Sequence, residues 1–91
     1  MEYEAEVRRA CEKYDLDPCL VFAVIRTESF FTPDAVSGAG AQGLMQIMPA
    51  VARQFDVVSE EALLDPETNV LLANKVWNRI DSTLDLPAGI S

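Results

Sequence analysis

Apolar residues recur at helical spacing along most of the chain. Tyr3, Val7, Ala10 and Tyr14 lie three or four positions apart and predict a first helix over residues 2–14. The next segment, about 18–30, is apolar nearly all round, from Leu20 to Ile25, which is typical of a helix buried on every side. The longest helix is predicted over about 66–83, with an apolar stripe at Val70, Ala73, Val76, Trp77, Ile80 and Leu84.

Capping signals divide these helices. In Asp17-Pro18 and in Asp65-Pro66, an aspartate that can cap a helix stands before a proline that suits the first helical position. Two short helices are predicted between them, from Pro49 to about Phe55 and over 59–64. The expected fold class is therefore mainly α.

One stretch, residues 31–43, interrupts the helical pattern with Pro33 and three of the chain's four glycines. It predicts a loop or a small irregular β segment. Its residues 38–43, GAGAQG, fit the G-x-G-x-x-G pattern of dinucleotide sites, but that pattern requires a strand before it and a helix after it. A helix starting at Gly43 would hold Pro49 in its interior, so we reject nucleotide binding.

Composition narrows the range of partners. The 91 residues predict a single domain, 1–91, with a net charge of −8 that argues against nucleic acid and against anionic membrane surfaces. No apolar run reaches the roughly 20 residues that span a bilayer, so membrane insertion is not expected. The chain has no histidine and no CxxC pair, so no metal site and no cofactor are expected. Cys11 and Cys19 are expected to be two buried thiols, unless helix ends bring them together.

Glu28 is the most informative residue for function. It lies near the end of the most apolar helix, on the side of Val21, Val24 and Ile25. Burial and the negative end of the helix dipole would both favour its protonated form, which suits a general acid for cleaving glycosidic bonds. The alternative is that Glu28 pairs with Arg26 or with another cation near a helix end.

The glycine-rich stretch can form one wall of a groove at the end of this helix, because glycine permits close approach. Met45 offers an apolar surface and Gln46 offers a donor and an acceptor, which suit an N-acetylated sugar. Taken alone, a methionine at this position is more often part of the core than a ligand contact.

Taken together, these residues resemble the soluble lytic transglycosylase domain, a relative of goose-type lysozyme. The resemblance runs from about Leu16 to Ala73, well over half of the chain. It is carried by an ordered set of motifs: Glu28-Ser29, Phe31, Pro33, Ala35, Ser37, Gly40-Ala41, Gly43-Leu44-Met45-Gln46, Pro49, Ala52, Asp65-Pro66 and Asn69.

The resemblance implies a lysozyme-like fold and peptidoglycan glycan strands as substrate. It implies that Glu28 is the single acid/base in cleaving the bond between N-acetylmuramic acid and N-acetylglucosamine, giving 1,6-anhydro ends. Ser37, Met45 and Gln46 would bind substrate, and Ser29 and Gly43 would support the site. It also implies a periplasmic, cell-envelope or extracellular location.

One departure from the family pattern concerns the end of the chain. The family continues with a helical stretch carrying an alanine-tyrosine-asparagine motif, which is absent here, so we expect a truncated domain. A half-domain exposes apolar surface, which favours self-association or domain swapping. Two alternatives stay open: a goose-type hydrolase that adds water, and an inactive module for cell-wall binding or assembly.

Overall fold

Helices dominate the architecture, as the apolar spacing predicts. The computed structural model describes residues 2–84. Within them, one short loop region contains two isolated antiparallel bridges in place of a sheet. The five helices begin and end close to the predicted positions: α1 (Glu4–Tyr14), α2 (Pro18–Glu28), α3 (Pro49–Gln54), α4 (Glu60–Leu64) and α5 (Pro66–Leu84).

Side-chain caps fix the starts of three helices. Asp17 accepts a hydrogen bond from the backbone N–H of Cys19 at 2.9 Å, with Pro18 in the first turn of α2. Ser59 caps α4 by accepting from the N–H of Ala62 at 3.0 Å. At the start of α5, an Asp65 carboxylate oxygen accepts from the N–H and the hydroxyl of Thr68. The caps predicted at Asp17 and Asp65 are confirmed, because each satisfies an N–H that the helix itself leaves unpaired.

The centre of the domain is the packing of α1 against α5. The middle of the α1 stripe, Val7 and Ala10, and the start of the α5 stripe, Val70 and Ala73, are buried. The stripe positions Tyr3, Tyr14, Val76 and Trp77 are half-buried. Ile80 and Leu84, the last two predicted positions of the α5 stripe, lie outside the side chains that the structure describes. An ion pair between Arg9 and Glu67 also joins the two helices at 2.9 Å, but its exposure makes it a small contribution.

Helix α2 departs from its prediction because only one of its faces is buried. Val21 and Ile25 are fully buried, whereas Leu20 is 53% exposed and Ala23 is also exposed. The all-round apolar sequence predicts burial on every side, and that prediction is wrong for this structure. The described helices pack against α2 from the Val21 side only.

The C-terminal end of α2 is abrupt. The helix ends at Glu28, two residues before the predicted end, because Phe30 and Phe31 take left-handed backbone angles with φ of 49° and 60°. Such angles are unfavourable for bulky side chains and occur in sharp turns. The Phe30 side chain is 74% exposed, so it does not extend the buried face.

The two cysteines differ in their surroundings. Both are free thiols, and Cys11 is buried while Cys19 is exposed, so the expectation of two buried thiols is wrong for Cys19. Burial raises the pKa of the Cys11 thiol. The side-chain amide of Asn74, itself fully buried, lies 3.7 Å from the Cys11 sulfur.

None of the helices described is long and apolar enough to cross a membrane.

Candidate functional site

The loop between α2 and α3 folds back on itself around Gln42. Its N–H donates to the carbonyl of Ile47 at 2.9 Å, and the N–H of Ile47 donates back to Gln42 at 2.9 Å. Gln42 also forms an antiparallel bridge with Val36. Two isolated bridges therefore place Val36 and Ile47 beside Gln42, which agrees with the predicted loop or small irregular β segment.

Asn69 is the residue that fixes this loop to the helical core. Its side chain is fully buried and lies in the first turns of α5. The side-chain oxygen accepts from the N–H of Met45 at 2.7 Å. The side-chain nitrogen donates to the carbonyls of Gln42 at 3.0 Å and Leu63 at 2.8 Å. One amide thus joins the loop, the end of α4 and α5, and it satisfies backbone groups that burial would otherwise leave unpaired.

Gly43 is required by this arrangement. Its φ of +83° lies in the left-handed region, and a Cβ atom there would collide with the side-chain amide of Asn69. The carbonyl of Leu63 would also be 3.1 Å away. The N–H of Gly43 donates to the carbonyl of Ala35 at 2.9 Å. The packing of Asn69 therefore explains why position 43 is glycine.

Gln46 closes the loop from the other side. Its side-chain nitrogen donates to the carbonyls of Ala35 at 3.0 Å and Gly43 at 2.9 Å. Its backbone is left-handed, with φ of 52°. The side chain is half-buried, and within the described residues its amide oxygen receives no hydrogen bond. The side-chain donor is therefore used to hold the loop.

Ser37 shapes the outer turn of the loop. Its hydroxyl oxygen accepts from the N–H of Ala41 at 3.0 Å, and its N–H donates to the carbonyl of Ala41 at 2.9 Å. Gly40, with φ of +97°, allows the chain to reverse between them. The Ser37 side chain is exposed, so it combines a structural bond with access to solvent.

Met45 is placed differently from the expectation. Its side chain is 5% exposed and belongs to the hydrophobic core, with Leu44 and Ile47 on either side of it in the same cluster. The expectation that Met45 offers an open apolar surface to a ligand is therefore corrected. Its N–H donates to the buried Asn69 side chain and its own side chain packs in the core, so Met45 fixes the loop from the inside of the domain.

Glu28 stands at the last position of α2, and its side chain is exposed. The burial expected from the apolar sequence is therefore wrong in this structure, because α2 packs through the face of Val21 and Ile25. Among the described residues no ion pair joins Glu28 to Arg26 or to another cation. The alternative interpretation of Glu28 as one half of an ion pair is thus not met, and its carboxyl is accessible.

Ser29 is buried beside Glu28, where it ends the helix. Its hydroxyl donates to the carbonyl of Ile25 at 3.2 Å, and its N–H donates to the same carbonyl at 3.0 Å. These bonds hold the backbone immediately after Glu28. They restrain the backbone next to Glu28, and neither bond involves the Glu28 carboxyl.

A path of backbone hydrogen bonds connects the end of α2 with the loop. The carbonyl of Ser29 accepts from Thr32 at 3.1 Å, and the carbonyl of Thr32 accepts from Ala35 at 3.2 Å. The carbonyl of Ala35 then accepts from both Gly43 and the Gln46 side chain. A continuous series of hydrogen bonds therefore connects the residue after Glu28 with the glycine-rich loop. Within the described chain, no hydrogen bond joins the Glu28 side chain itself to the loop.

The role of Asn69 is the part of the site that the sequence pattern did not reveal. The residue matches the family pattern, but its contacts were not predicted. A signal was present, because Asn69 lies four positions before Ala73 and seven before Val76 and therefore on the apolar face of the predicted helix. A buried amide at such a position requires partners.

These features define a lysozyme-like helical domain with a glycine-rich loop anchored beside an exposed helix-end glutamate. The model of the family described as "Transglycosylase SLT domain" matches residues 6–86. The chain belongs to this transglycosylase family, which confirms the resemblance inferred from its motifs.

Relatives and solved structures agree with this assignment. A protein named "Transglycosylase" from Enterobacteria phage PRD1 is 40% identical over 70 residues, which cover 77% of this chain and 25% of the phage protein. The membrane-bound lytic murein transglycosylase C of Serratia proteamaculans is 41% identical over 77 residues, covering 76% of this chain and 22% of that protein. This chain thus corresponds to about a quarter or less of the curated relatives it matches.

The fold matches those of known transglycosylases. An inactive glutamate-to-glutamine mutant of lytic transglycosylase Slt from Pseudomonas aeruginosa superposes with a TM-score of 0.80 and 32% identity. The match covers 93% of this chain and 15% of that protein. The 70 kDa soluble lytic transglycosylase from Escherichia coli gives a TM-score of 0.76 at 29% identity, over 90% of this chain and 14% of that one.

Proposed function

We propose that this chain cleaves the glycan strands of peptidoglycan, with Glu28 as the single acid/base. One observation carries the proposal. An exposed glutamate ends α2, and a series of hydrogen bonds connects this helix end with the glycine-rich loop that Asn69 fixes. Membership of the transglycosylase family supports the reaction class. The inactivity of a glutamate-to-glutamine mutant of the Pseudomonas aeruginosa relative is consistent with a glutamate as the essential group in that protein.

The reaction needs one carboxyl group in two successive roles. The protonated Glu28 donates its proton to the bridging oxygen between N-acetylmuramic acid and N-acetylglucosamine while the glycosidic bond breaks. The N-acetyl oxygen of the muramic residue bonds to the anomeric carbon. The Glu28 carboxylate then removes the proton of the 6-hydroxyl, whose oxygen attacks the anomeric carbon and displaces the N-acetyl oxygen. A 1,6-anhydro ring forms, Glu28 is protonated again, and no water is consumed.

The exposure of Glu28 bears on how its carboxyl would act as an acid. In the free chain, solvent reaches the Glu28 side chain, so α2 alone does not shelter the carboxyl from water. We propose that the glycan strand itself shelters Glu28 by covering it when it binds. Catalysis would then depend on substrate binding to desolvate the acid.

The loop residues would contribute through the atoms that remain accessible. The exposed hydroxyl of Ser37 and the amide oxygen of Gln46 can contact the hydroxyl and N-acetyl groups of a sugar. Met45, Ser29 and Gly43 would act by holding the loop and the end of α2 in position. The names of the murein-degrading relatives favour a location in the cell envelope for this activity.

The identity of the product tests the reaction class. Purified peptidoglycan is digested with the 91-residue chain, reduced with borohydride, and the released fragments are analysed by mass spectrometry. Anhydro ends resist reduction, so after borohydride treatment they are lighter than the reduced hydrolysed ends by one water and two hydrogen atoms. Fragments with anhydro ends support the proposal, whereas fragments with reducible ends would assign the goose-type hydrolase instead.

A second candidate function is a module that binds the cell wall without cleaving it. The exposed, solvated Glu28 favours this candidate, since a general acid normally works in a sheltered site. Sedimentation of the chain with insoluble peptidoglycan, with no fragments released, would identify binding without turnover.

Self-association is a separate proposal about the state of the chain. Among residues 2–79, whose side chains the structure describes, the exposed large apolar residues are Leu20, Phe30, Val36, Met48 and Val58. Covering apolar surface is favourable at about 25 cal/mol per Å². We therefore propose that copies of the chain associate in solution. Sedimentation velocity over a range of concentrations should give a mass above that of the monomer, and a concentration-independent monomer would contradict the proposal.

A further inference from the structure

A cavity of about 540 Å³ lies apart from the Glu28 site. Its lining comes from the end of α1, the end of α3 and one face of α5, and includes Tyr14, Phe55, Asp56, Lys75, Asn78 and Arg79. None of these residues belongs to the glycine-rich loop or to the end of α2. Tyr14 precedes the start of α2, whereas Glu28 ends it, and an eleven-residue helix rises roughly 15 Å between its ends.

The most distinctive feature of the cavity is the pair of cations that shares one aromatic ring. The Lys75 ammonium lies 5.5 Å from the centre of the Phe55 ring, and the Arg79 guanidinium lies 5.1 Å from it. The two residues are four positions apart on α5 and therefore project from the same face. Attraction to the ring places both cations at the same cavity.

Neither cation is neutralised within the described part of the chain. The ion pairs found there use Arg8 and Arg9, with Glu4 and Glu67. Asp56 lines the same cavity but forms no ion pair with Lys75 or Arg79. Two unpaired cations at one ring repel each other, in a chain whose net charge is −8. A bound anion would relieve that repulsion.

We propose that this cavity binds a carboxylate carried on a short acidic peptide. A planar guanidinium can hold a carboxylate through two parallel hydrogen bonds, while an ammonium adds a point charge and the Phe55 ring packs against the apolar part of the ligand. The cavity has room for a group of a few residues and is open to solvent through exposed Lys75 and Arg79. The choice of a peptide-borne carboxylate rests on the proposed function, because the glycan strands of peptidoglycan carry short acidic peptides. The site would hold the peptide while Glu28 acts on the glycan.

Nuclear magnetic resonance titration of the 91-residue chain tests the proposal. The probes are the dipeptide alanylglutamate, its uncharged diamide, and free glutarate. The proposal requires saturable shifts of the Phe55 ring and the Arg79 guanidinium signals with alanylglutamate, and none with the diamide. If glutarate binds more weakly than alanylglutamate, the site recognises a carboxylate on a peptide. Equal affinities for the two would overturn the choice of a peptide. Equal shifts with the diamide, or no saturable shift with any probe, would overturn the carboxylate site.

Matched variants distinguish a specific binding site from nonspecific electrostatic attraction. Arg79→Gln should weaken alanylglutamate binding about tenfold, the loss expected for one charge-assisted contact. Arg26→Gln removes the same charge from an exposed position on α2 and should leave the affinity unchanged. Equal weakening by both variants would overturn the site. The probes contain no glycosidic bond, so the titration reports on peptide binding alone. The Glu28 proposal is tested separately, by the release of fragments from peptidoglycan.

Discussion

The side-chain amide of Asn69 occupies the space that a Cβ atom at Gly43 would need. The same amide bonds to the backbone on both sides of Gly43, at Gln42 and Met45. The glycine and the asparagine are therefore one structural unit, although they are far apart in the chain. The shape of the loop beside Glu28 depends on both.

Substitution of Gly43 by alanine should be the most damaging of the possible changes to the loop glycines. The added methyl group meets Asn69, and the left-handed φ is itself unfavourable for alanine. We expect Gly43→Ala to lower the free energy of unfolding by about 3 kcal/mol. Urea denaturation followed by circular dichroism measures this change.

Two other glycines provide matched controls for that substitution. Gly40→Ala keeps open space around the methyl group but carries the positive φ, so it should cost about 1 kcal/mol. Gly38→Ala meets nothing within 4 Å and should change the stability by less than about 0.5 kcal/mol. Equal effects of the three substitutions would contradict the role given to Asn69.

Removal of the Asn69 side chain should destabilise the domain strongly. Asn69→Ala leaves the buried N–H of Met45 and the carbonyls of Gln42 and Leu63 without their partner. We expect a loss of about 3 kcal/mol, because each buried unpaired group costs about 1 kcal/mol or more. Thermal unfolding by calorimetry gives the measurement. Asn78→Ala removes an exposed asparagine of the same helix and is the control. Equal melting temperatures of the two variants would contradict the role given to Asn69.

Substitution of Gln46 should loosen the loop with a smaller effect on global stability. Gln46→Ala deletes two hydrogen bonds, to the carbonyls of Ala35 and Gly43, at a half-buried position. The expected cost is about 1 to 2 kcal/mol, with faster amide hydrogen exchange at Gly43 than in the parent chain. Gln54→Ala, at an exposed position of α3, is the control and should leave the exchange at Gly43 unchanged. Unaltered exchange in Gln46→Ala would show that the side chain does not hold the loop.

The two cysteines should react at very different rates. Cys19 is exposed and should be labelled by a thiol reagent in the folded chain, whereas Cys11 is buried and its raised pKa lowers its thiolate fraction. Mass spectrometry after brief labelling should therefore find the label on Cys19 alone, and on both residues after denaturation. Rapid labelling of Cys11 in the folded chain would contradict its burial on α1 against Asn74 of α5.

The raised pKa of Cys11 also predicts a slope of stability with pH. The folded thiol keeps its proton to higher pH than the unfolded thiol, so the folded state binds more protons above the ordinary thiol pKa of about 8.5. Stability should be complete below that pH and should fall as the pH rises through the pKa of the folded thiol. Cys11→Ala should lack this part of the slope, which denaturation at several alkaline pH values can show.

The helices could be predicted from the sequence because their signals are local. Apolar spacing and the caps at Asp17 and Asp65 lie within a few residues of the elements they define. The family motifs similarly located Glu28 and the loop.

What could not be predicted depends on contacts between distant segments. Asn69 reaches Met45 across 24 positions and Gln42 across 27, and spacing within α5 contains no information about either. The burial of Met45 and the exposure of Glu28 follow from which face of each segment meets the core. An apolar neighbourhood in sequence therefore gave the wrong surroundings for Glu28.

The most direct test of Glu28 is the initial rate of fragment release from purified peptidoglycan by three matched chains. The parent chain should release soluble fragments, and Glu28→Gln should reduce the rate by at least about 100-fold, the contribution expected of a general acid. Glu61→Gln removes an exposed carboxylate from α4 and should keep the parent rate. A Glu28→Gln chain that releases fragments at the parent rate, or a parent chain that releases none, would contradict the proposed role of Glu28 in this chain.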